Sequence, residues 1–264
     1  RTVQLNGRNV QLVKLGDISE VQQGLATGDN DAYLFQNPDA HGSYRSSEEF
    51  RKFLLTEADI QRIRSDDSLR QSVVDRGISK GDKKSSRYFG GRYIVPFDKG
   101  GESDAEEGWM PNFWVATDYF IDWSEWAIKR MATLTIGARD GTSRQELCAV
   151  IRNSDSYFKE GITYSPTGIY SPSFRRGCGA IFGNKGSTIF PVTTALDITK
   201  LLGVLASKPF KFFLKPFRAH TVESPEQGLV DTQVPFPLTD VRQFVDAIIS
   251  KQKRDSRYDY ASNE

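Results

Sequence analysis

The chain has 264 residues, 38% of them hydrophobic, and its 35 Lys and Arg against 34 Asp and Glu leave a formal charge of +1. That length buries enough surface to fold without staples. No apolar run approaches the roughly 18–20 residues of a membrane span, and Arg1-Thr2-Val3 opens no signal-peptide pattern, so a cytoplasmic protein with no membrane partner is expected. Cys148 and Cys178 stand far apart with no partner at metal-ligand spacing, and they read as ordinary thiols rather than a disulfide or zinc framework. Overall charge does not point to nucleic acid, since phosphate-neutralising proteins usually carry a basic surplus. Its distribution says more: between 76 and 99, Arg76, Lys80, Lys83, Lys84, Arg87, Arg92 and Lys99 outweigh Asp82 and Asp98, forming either one positive face or a solvated loop.

In chain order, Val10 to Val21 alternates loosely and Ala32-Tyr33-Leu34-Phe35 is a second apolar run, which predicts two strands. Between them, Gln22-Gln23-Gly24-Leu25-Ala26-Thr27-Gly28-Asp29-Asn30 is rich in residues that accept tight turns. Ser46 and Glu49 resemble a capping box ahead of Phe50, Phe53 and Leu54 at helical spacing, and a further helix opens after Thr56 with Ile60 and Ile63 on one face. Tyr88 to Trp109 mixes aromatic strand formers with glycine pairs and then turns acidic, as sheet with exposed turns. Tyr119, Phe120, Trp123 and Trp126 sit close to helical spacing and read as core aromatics. Ile162 to Phe190 predicts strands joined by loops. Leu201, Leu202, Val204 and Leu205 follow Asp197 as a helix with its N-cap, and Thr239 is the expected cap of a last helix with Val241, Phe244, Val245, Ile248 and Ile249 on one face. The polar tail from Lys251 to Glu264 is expected in solvent.

The signatures of common enzymes are missing. Gly177-Cys178-Gly179 lacks the third glycine of a dinucleotide fingerprint, and the Gly24–Gly28 loop lacks the Lys and Ser or Thr of a phosphate loop. His41 and His220 have no His or Cys at short helical spacing, which disfavours zinc. No Gly-x-Ser-x-Gly elbow occurs. Asp39, Glu48 and Glu49 superficially resemble a magnesium nuclease core, but the Glu-x-Lys spacing is absent. What remains are polar, glycine-punctuated loops on expected strands, whose Gln, Asn, Ser, Thr, Lys and Arg suit base-edge and phosphate hydrogen bonds.

Leu15-Gly16-Asp17-Ile18, Val21-Gln22-Gln23-Gly24-Leu25 and Thr27-Gly28-Asp29-Asn30 resemble the opening of the target-recognition domain of fused adenine-specific DNA methyltransferases, the type IIG restriction-modification and BREX-type phage-exclusion enzymes. Further blocks follow in order: Tyr93 to Glu102, ending Phe97-Asp98-Lys99-Gly100-Gly101-Glu102; Gly161-Ile162-Thr163-Tyr164-Ser165 with Ser171 to Arg175; Gly179 to Phe190; and Leu201 to Ser207. After Glu102 an acidic stretch replaces the family's frequent Arg, Trp and Tyr run, and Ala206 stands where Asn is common. The resemblance implies a parent that methylates adenine by base flipping, with S-adenosylmethionine held by an N-terminal catalytic domain. This chain would carry no catalytic residue and no cofactor of its own. Its partners would be double-stranded DNA and that catalytic domain.

The implied architecture is α+β: a curved, mainly antiparallel sheet bearing the recognition loops, helices packed against it, and a helical C-terminal part. Residues 1–195 would form the recognition domain and 196–264 the helical part with its charged tail. Gln23, Thr27 and Asn30 are expected to project toward DNA, with closure of the turn by Asp29 and Asn30 as the alternative. Lys80, Lys83, Lys84 and Arg87 are expected at phosphates. Lys99, Ser165, Thr167, Ser171, Arg175 and Arg176 are expected in a groove, where Arg pairs bidentately with guanine. Lys208, Lys211, Lys215 and Arg218, interleaved with Phe210, Phe212, Phe213 and Phe217, read as a core helix with solvated lysines. The competing functions are a protein-interaction scaffold and a stand-alone magnesium nuclease.

Overall fold

The computed structural model describes residues 2–5, 7–40, 44–100, 111–137, 149–164, 172–193, 196–215, 226–238 and 240–261. Strands run in chain order as β1 (Thr2–Leu5), β2 (Arg8–Lys14), β3 (Ser19–Gln22), β4 (Leu34–Gln36), β5 (Ile94–Asp98), β6 (Tyr119–Asp122), β7 (Ile162–Tyr164), β8 (Phe174–Arg176), β9 (Ile181–Phe182), β10 (Thr188–Pro191) and β11 (Gln233–Phe236). Helices are α1 (Asn30–Tyr33), α2 (Glu57–Ser65), α3 (Asp67–Arg76), α4 (Glu125–Gly137), α5 (Ile198–Leu205), α6 (Lys208–Leu214), α7 (Glu226–Asp231) and α8 (Arg242–Ala261). The fold is α+β and its strand pairing is mainly antiparallel.

In place of one curved sheet, the described strands form three: β1-β2-β11, β3-β10-β7-β8 and β4-β6-β5-β9. Only the β5–β9 pairing within these sheets is parallel, with Phe97 opposite Ile181 and Asp98 opposite Phe182. The aromatic stretch before α4 is strand rather than helix. Tyr119, Ile121 and Trp123 are 7%, 0% and 0% exposed, the period of two that a pleated strand imposes, and β6 pairs on both sides. Trp126, placed in the core by its spacing, is 52% exposed on α4.

Local chemistry sets the helix ends. Thr56 caps α2 with a full capping box, its hydroxyl accepting from the Asp59 N–H at 3.2 Å while Asp59 accepts from the Thr56 N–H at 2.9 Å. Ile60 and Ile63 are buried as their spacing requires. Asp66 caps α3, a helix whose low amphipathic contrast hid it in the sequence, through the Leu69 N–H at 2.9 Å. The expected helix after Ser46 is instead a 3-10 turn over Glu48–Phe53, capped by Ser47, and Leu54 already has extended backbone. Asp197 caps α5 by accepting from Thr199 and Lys200. Thr239 lies outside the described residues.

Two cores follow. One packs α2, α3 and α4 against β4-β6-β5-β9, centred on Ile63, Val73, Trp123 and Met131, and the Trp123 Nε1–H donates to the Val73 carbonyl at 3.1 Å. The second packs α5, α6 and α8 onto β3-β10-β7-β8 through Ile162, Phe174, Leu201, Leu205, Phe210, Val245 and Ile249. Because β11 also pairs with β2, residues on both sides of 195/196 share this core and one sheet. The last helix docks by Val241, Val245 and Ile249, leaving Phe244 70% and Ile248 38% exposed; the five-residue apolar face is thus only partly covered. On α6, Phe210 enters the core whereas Phe212 and Phe213 are 71% and 55% exposed, so this helix is less buried than its phenylalanines imply. The charged tail continues α8 to Ala261.

Leu205→Ala, at a fully enclosed position, is expected to lower the unfolding free energy by about 2–5 kcal/mol. Phe212→Ala is expected to change it by under ~0.5 kcal/mol. Urea unfolding followed by circular dichroism checks both.

Candidate functional site

Three loops far apart in sequence meet beyond the C-terminal end of β5: the one after β3, the Lys99-Gly100 turn, and the turn after β9. Their backbones bond directly to each other. The Leu25 N–H donates to Phe182 O at 2.9 Å, Gly183 N–H to Asp98 O at 2.8 Å, and Asn184 N–H to Leu25 O at 3.0 Å. Chains this close leave no room for side chains between them. A Cβ on Gly24 would collide with the Phe182 carbonyl, and one on Gly100, whose φ is +84°, with the Lys185 carbonyl.

The junction encloses a cleft of about 380 Å³, lined by Leu25 to Gly28, Asn30, Tyr44, Phe97, Lys99, Gly100, Asn184 and Lys185. Lys99 Nζ lies 4.8 Å from the Tyr44 ring centre and 4.7 Å from that of Tyr119, which holds the ammonium in place by cation–π attraction. Asn184 and Lys185 are exposed at the rim. Asn30, also exposed, accepts from the Thr27 hydroxyl through Oδ1 and donates through Nδ2 to the Tyr44 hydroxyl at 3.2 Å. Asp29 caps α1 by accepting from the Ala32 N–H at 3.0 Å. The described lining includes two lysines and no carboxylate, a local surplus of positive charge in a chain of almost no net charge.

Of the expected contact residues, Thr27, Asn30 and Lys99 reach the cleft. Thr27, however, is 4% exposed and braces Asn30 instead of projecting outward. Gln23 is tied back as well: its Oε1 accepts from Arg152 Nη1 at 2.9 Å, and its carbonyl from Asn153 Nδ2 at 2.8 Å. Lys80 sits over the Tyr93 ring at 3.8 Å and 3.5 Å from Asp122. The Arg87 side chain, 12% exposed, is spent on Glu125 at 2.7 Å and on the carbonyls of Arg76 and Gly77, closing the end of α3. Lys83 and Lys84 remain exposed. Tyr93 and Lys99 flank β5, six residues apart, which at ~3.3 Å per residue puts Lys80 about 20 Å from the cleft.

On β8, Arg175 is 2% exposed, its side chain enclosed rather than standing out from the surface. Arg176 is half-buried and donates to Thr199 Oγ1 at 3.2 Å. Ser165, Thr167 and Ser171 lie outside the described residues. Tyr44, Asn184 and Lys185 line the cleft without being among the expected contact residues. Asn184-Lys185-Gly186 did carry a signal, as a polar turn inside the Gly179–Phe190 block, whereas nothing in the surroundings of Tyr44 marks it. Glu48 and Glu49 lie on the exposed 3-10 turn, with Glu48 paired to Arg51 at 2.7 Å. Among the described residues there is no group of three or more His, Cys, Asp or Glu arranged to hold a metal ion, and no helix long and apolar enough to cross a membrane.

Because the loops are knitted through backbone, Gly24→Ala and Gly100→Ala are each expected to destabilise by about 2–4 kcal/mol or to prevent folding. Gly81→Ala, with open space around its Cβ, is expected to stay within ~0.5 kcal/mol of the parent. Thermal melts of the three variants separate these outcomes.

No protein-family model and no curated protein matches this chain, so its function rests on the geometry of the cleft and the motifs that build it.

Proposed function

We propose that the chain is the sequence-recognition module of a larger adenine-specific DNA methyltransferase of a restriction or phage-defence system. It positions duplex DNA in the cytoplasm for a separate N-terminal catalytic domain that uses S-adenosylmethionine. One observation carries this reading: three of the sequence blocks that resemble the target-recognition family, separated by up to 150 residues, build one cleft with lysines at its rim. Most of the described lining comes from those blocks, and the intervening sequence supplies Tyr44.

In this reading Lys99 and Lys185 neutralise backbone phosphates and set the register of the duplex, while the Asn30 and Asn184 amides face base edges, the asparagine amide being suited to the N6 and N7 of adenine. Lys83 and Lys84, exposed in the loop that follows Lys80, add a second phosphate contact outside the cleft. Gln23, Thr27 and Arg87 support loops instead of touching DNA. No residue of the chain is assigned to methyl transfer.

A protein-interaction scaffold is the second reading, favoured by the exposure of Phe212, Phe213 and Phe244. Fluorescence anisotropy with a random-sequence duplex pool distinguishes the two. Lys99→Ala with Lys185→Ala is expected to weaken binding about 10-fold or more at low salt, and to reduce the slope of log K against log salt by about 2. Asn30→Ala is expected to relax the sequence motif recovered from the pool with little change in that slope. Equal affinity of all variants, or no retention of DNA at any salt, would favour the scaffold.

A further inference from the structure

A second, smaller cavity lies on the other side of the Phe97–Gly100 turn, between it, the Trp114–Tyr119 segment and β8. We propose that this cavity is a binding site for a single oxyanion, with the Arg175 guanidinium as the group that holds it. The cavity shares Phe97, Lys99 and Gly100 with the cleft, but the inference turns on Arg175, which the cleft does not use, and its phosphate arm holds whether or not the chain binds DNA.

Arg175 is 2% exposed, and its Nη1 is buried with no hydrogen-bond partner among the described residues. An arginine carries five N–H donors and does not give up its proton in a protein, so a buried guanidinium calls for acceptors. Asp98 is in electrostatic reach, but the two groups form no ion pair at contact distance, and Asp98 Oδ2 already accepts from the Cys178 N–H at 2.7 Å. The second carboxylate of the lining, Asp118, accepts from Asn37 Nδ2 at 3.2 Å. Lys99 and Arg176 also line the cavity, so three cations face two carboxylates and the local charge is positive by one. Its volume of about 50 Å³ is several times the roughly 10–15 Å³ that a single water needs. A polyatomic oxyanion answers all of these conditions, since the planar guanidinium fork matches two oxygens at once.

The oxyanion has two possible sources, a DNA backbone phosphodiester reaching in past Lys99 or free inorganic phosphate. The test is a titration of the intact chain with inorganic phosphate at constant ionic strength in chloride, followed by the Arg175 Nε–Hε NMR signal and by calorimetry. Saturable binding is expected. Arg175→Lys, which keeps the charge and loses the fork, should weaken it by roughly 10-fold or more. Asp98→Asn keeps an acceptor for Cys178 while removing a negative charge from the lining, and should tighten binding several-fold. If Arg175→Lys fails to fold, the gain in Asp98→Asn decides the matter. A thymidine dinucleotide that displaces phosphate identifies the backbone phosphodiester as the natural ligand, and one that does not identifies the free ion. No saturable response to either probe, or a response indifferent to both substitutions, would overturn the proposal.

Discussion

The backbone hydrogen bonds from Leu25 to Phe182, from Gly183 to Asp98 and from Asn184 to Leu25 fix three loops as a single rigid unit at the end of β5. The DNA-recognition reading depends on that contact. It forces glycine at 24 and 100, where a Cβ has no space, while Leu25, Phe97 and Phe182 anchor the same segments in the core. It also ties the cleft to both cores: β5 and β9 belong to the sheet beneath α2, α3 and α4, while β3 and β10, on either side of the loops, belong to the sheet that carries α5 and α8. Loops mounted on a preorganised scaffold lose little entropy when they meet a ligand, which is why binding sites so often take this form.

Electrostatics in this chain is a matter of placement, not of sum. Many of its cations are spent internally: Arg87 closes the end of α3 and pairs with Glu125, Arg92 grips Asp59 at 2.8 Å, and Arg64 pairs with Glu160 while bonding the carbonyls of Phe158 and Gly179. The Arg92 guanidinium helps hold the Asp59 carboxyl below its usual range, although burial there acts in the opposite direction. Lys83, Lys84 and Lys185 stay at the surface. The basic run between 76 and 99 therefore divides into structural and exposed groups that charge counting treats alike, and its two ends lie at opposite ends of β5. Arg175 is the extreme case. Burial lowers the pKa of its guanidinium while Asp98 raises it, and Asp98 is itself pushed up by burial against the pull of Arg175 and the Cys178 amide.

Elements with a local cause were legible in the sequence. The capping box at Thr56 and the cap at Asp197 mark helix starts through hydrogen bonds between near neighbours, and Ile60 with Ile63 marks the buried face. The α+β class and the glycine loops followed in the same way. What depended on distant partners was not legible. Tyr119 to Trp123 is spaced for a helix as readily as for a strand, and the choice is made by β4 and β5 pairing on its two sides. The division into three sheets arises because β11 returns to β2 and β10 inserts between β3 and β7. In the cleft, the motif residues Asn30 and Lys99 were visible, but Tyr44 enters only through its ring beneath Lys99 and its bond to Asn30. Arg175 looked like a surface contact because no local pattern tells that a strand three residues long is enclosed on both faces.

Hydrogen–deuterium exchange of the intact chain, with and without a saturating duplex pool at low salt, tests the central claim most directly. Protection confined to residues 24–30, 97–100 and 183–186, with the amides of α8 unchanged, is the predicted result. Protection centred on Phe212, Phe213 and Phe244 instead, or no change at the three loops while DNA is bound, would contradict it.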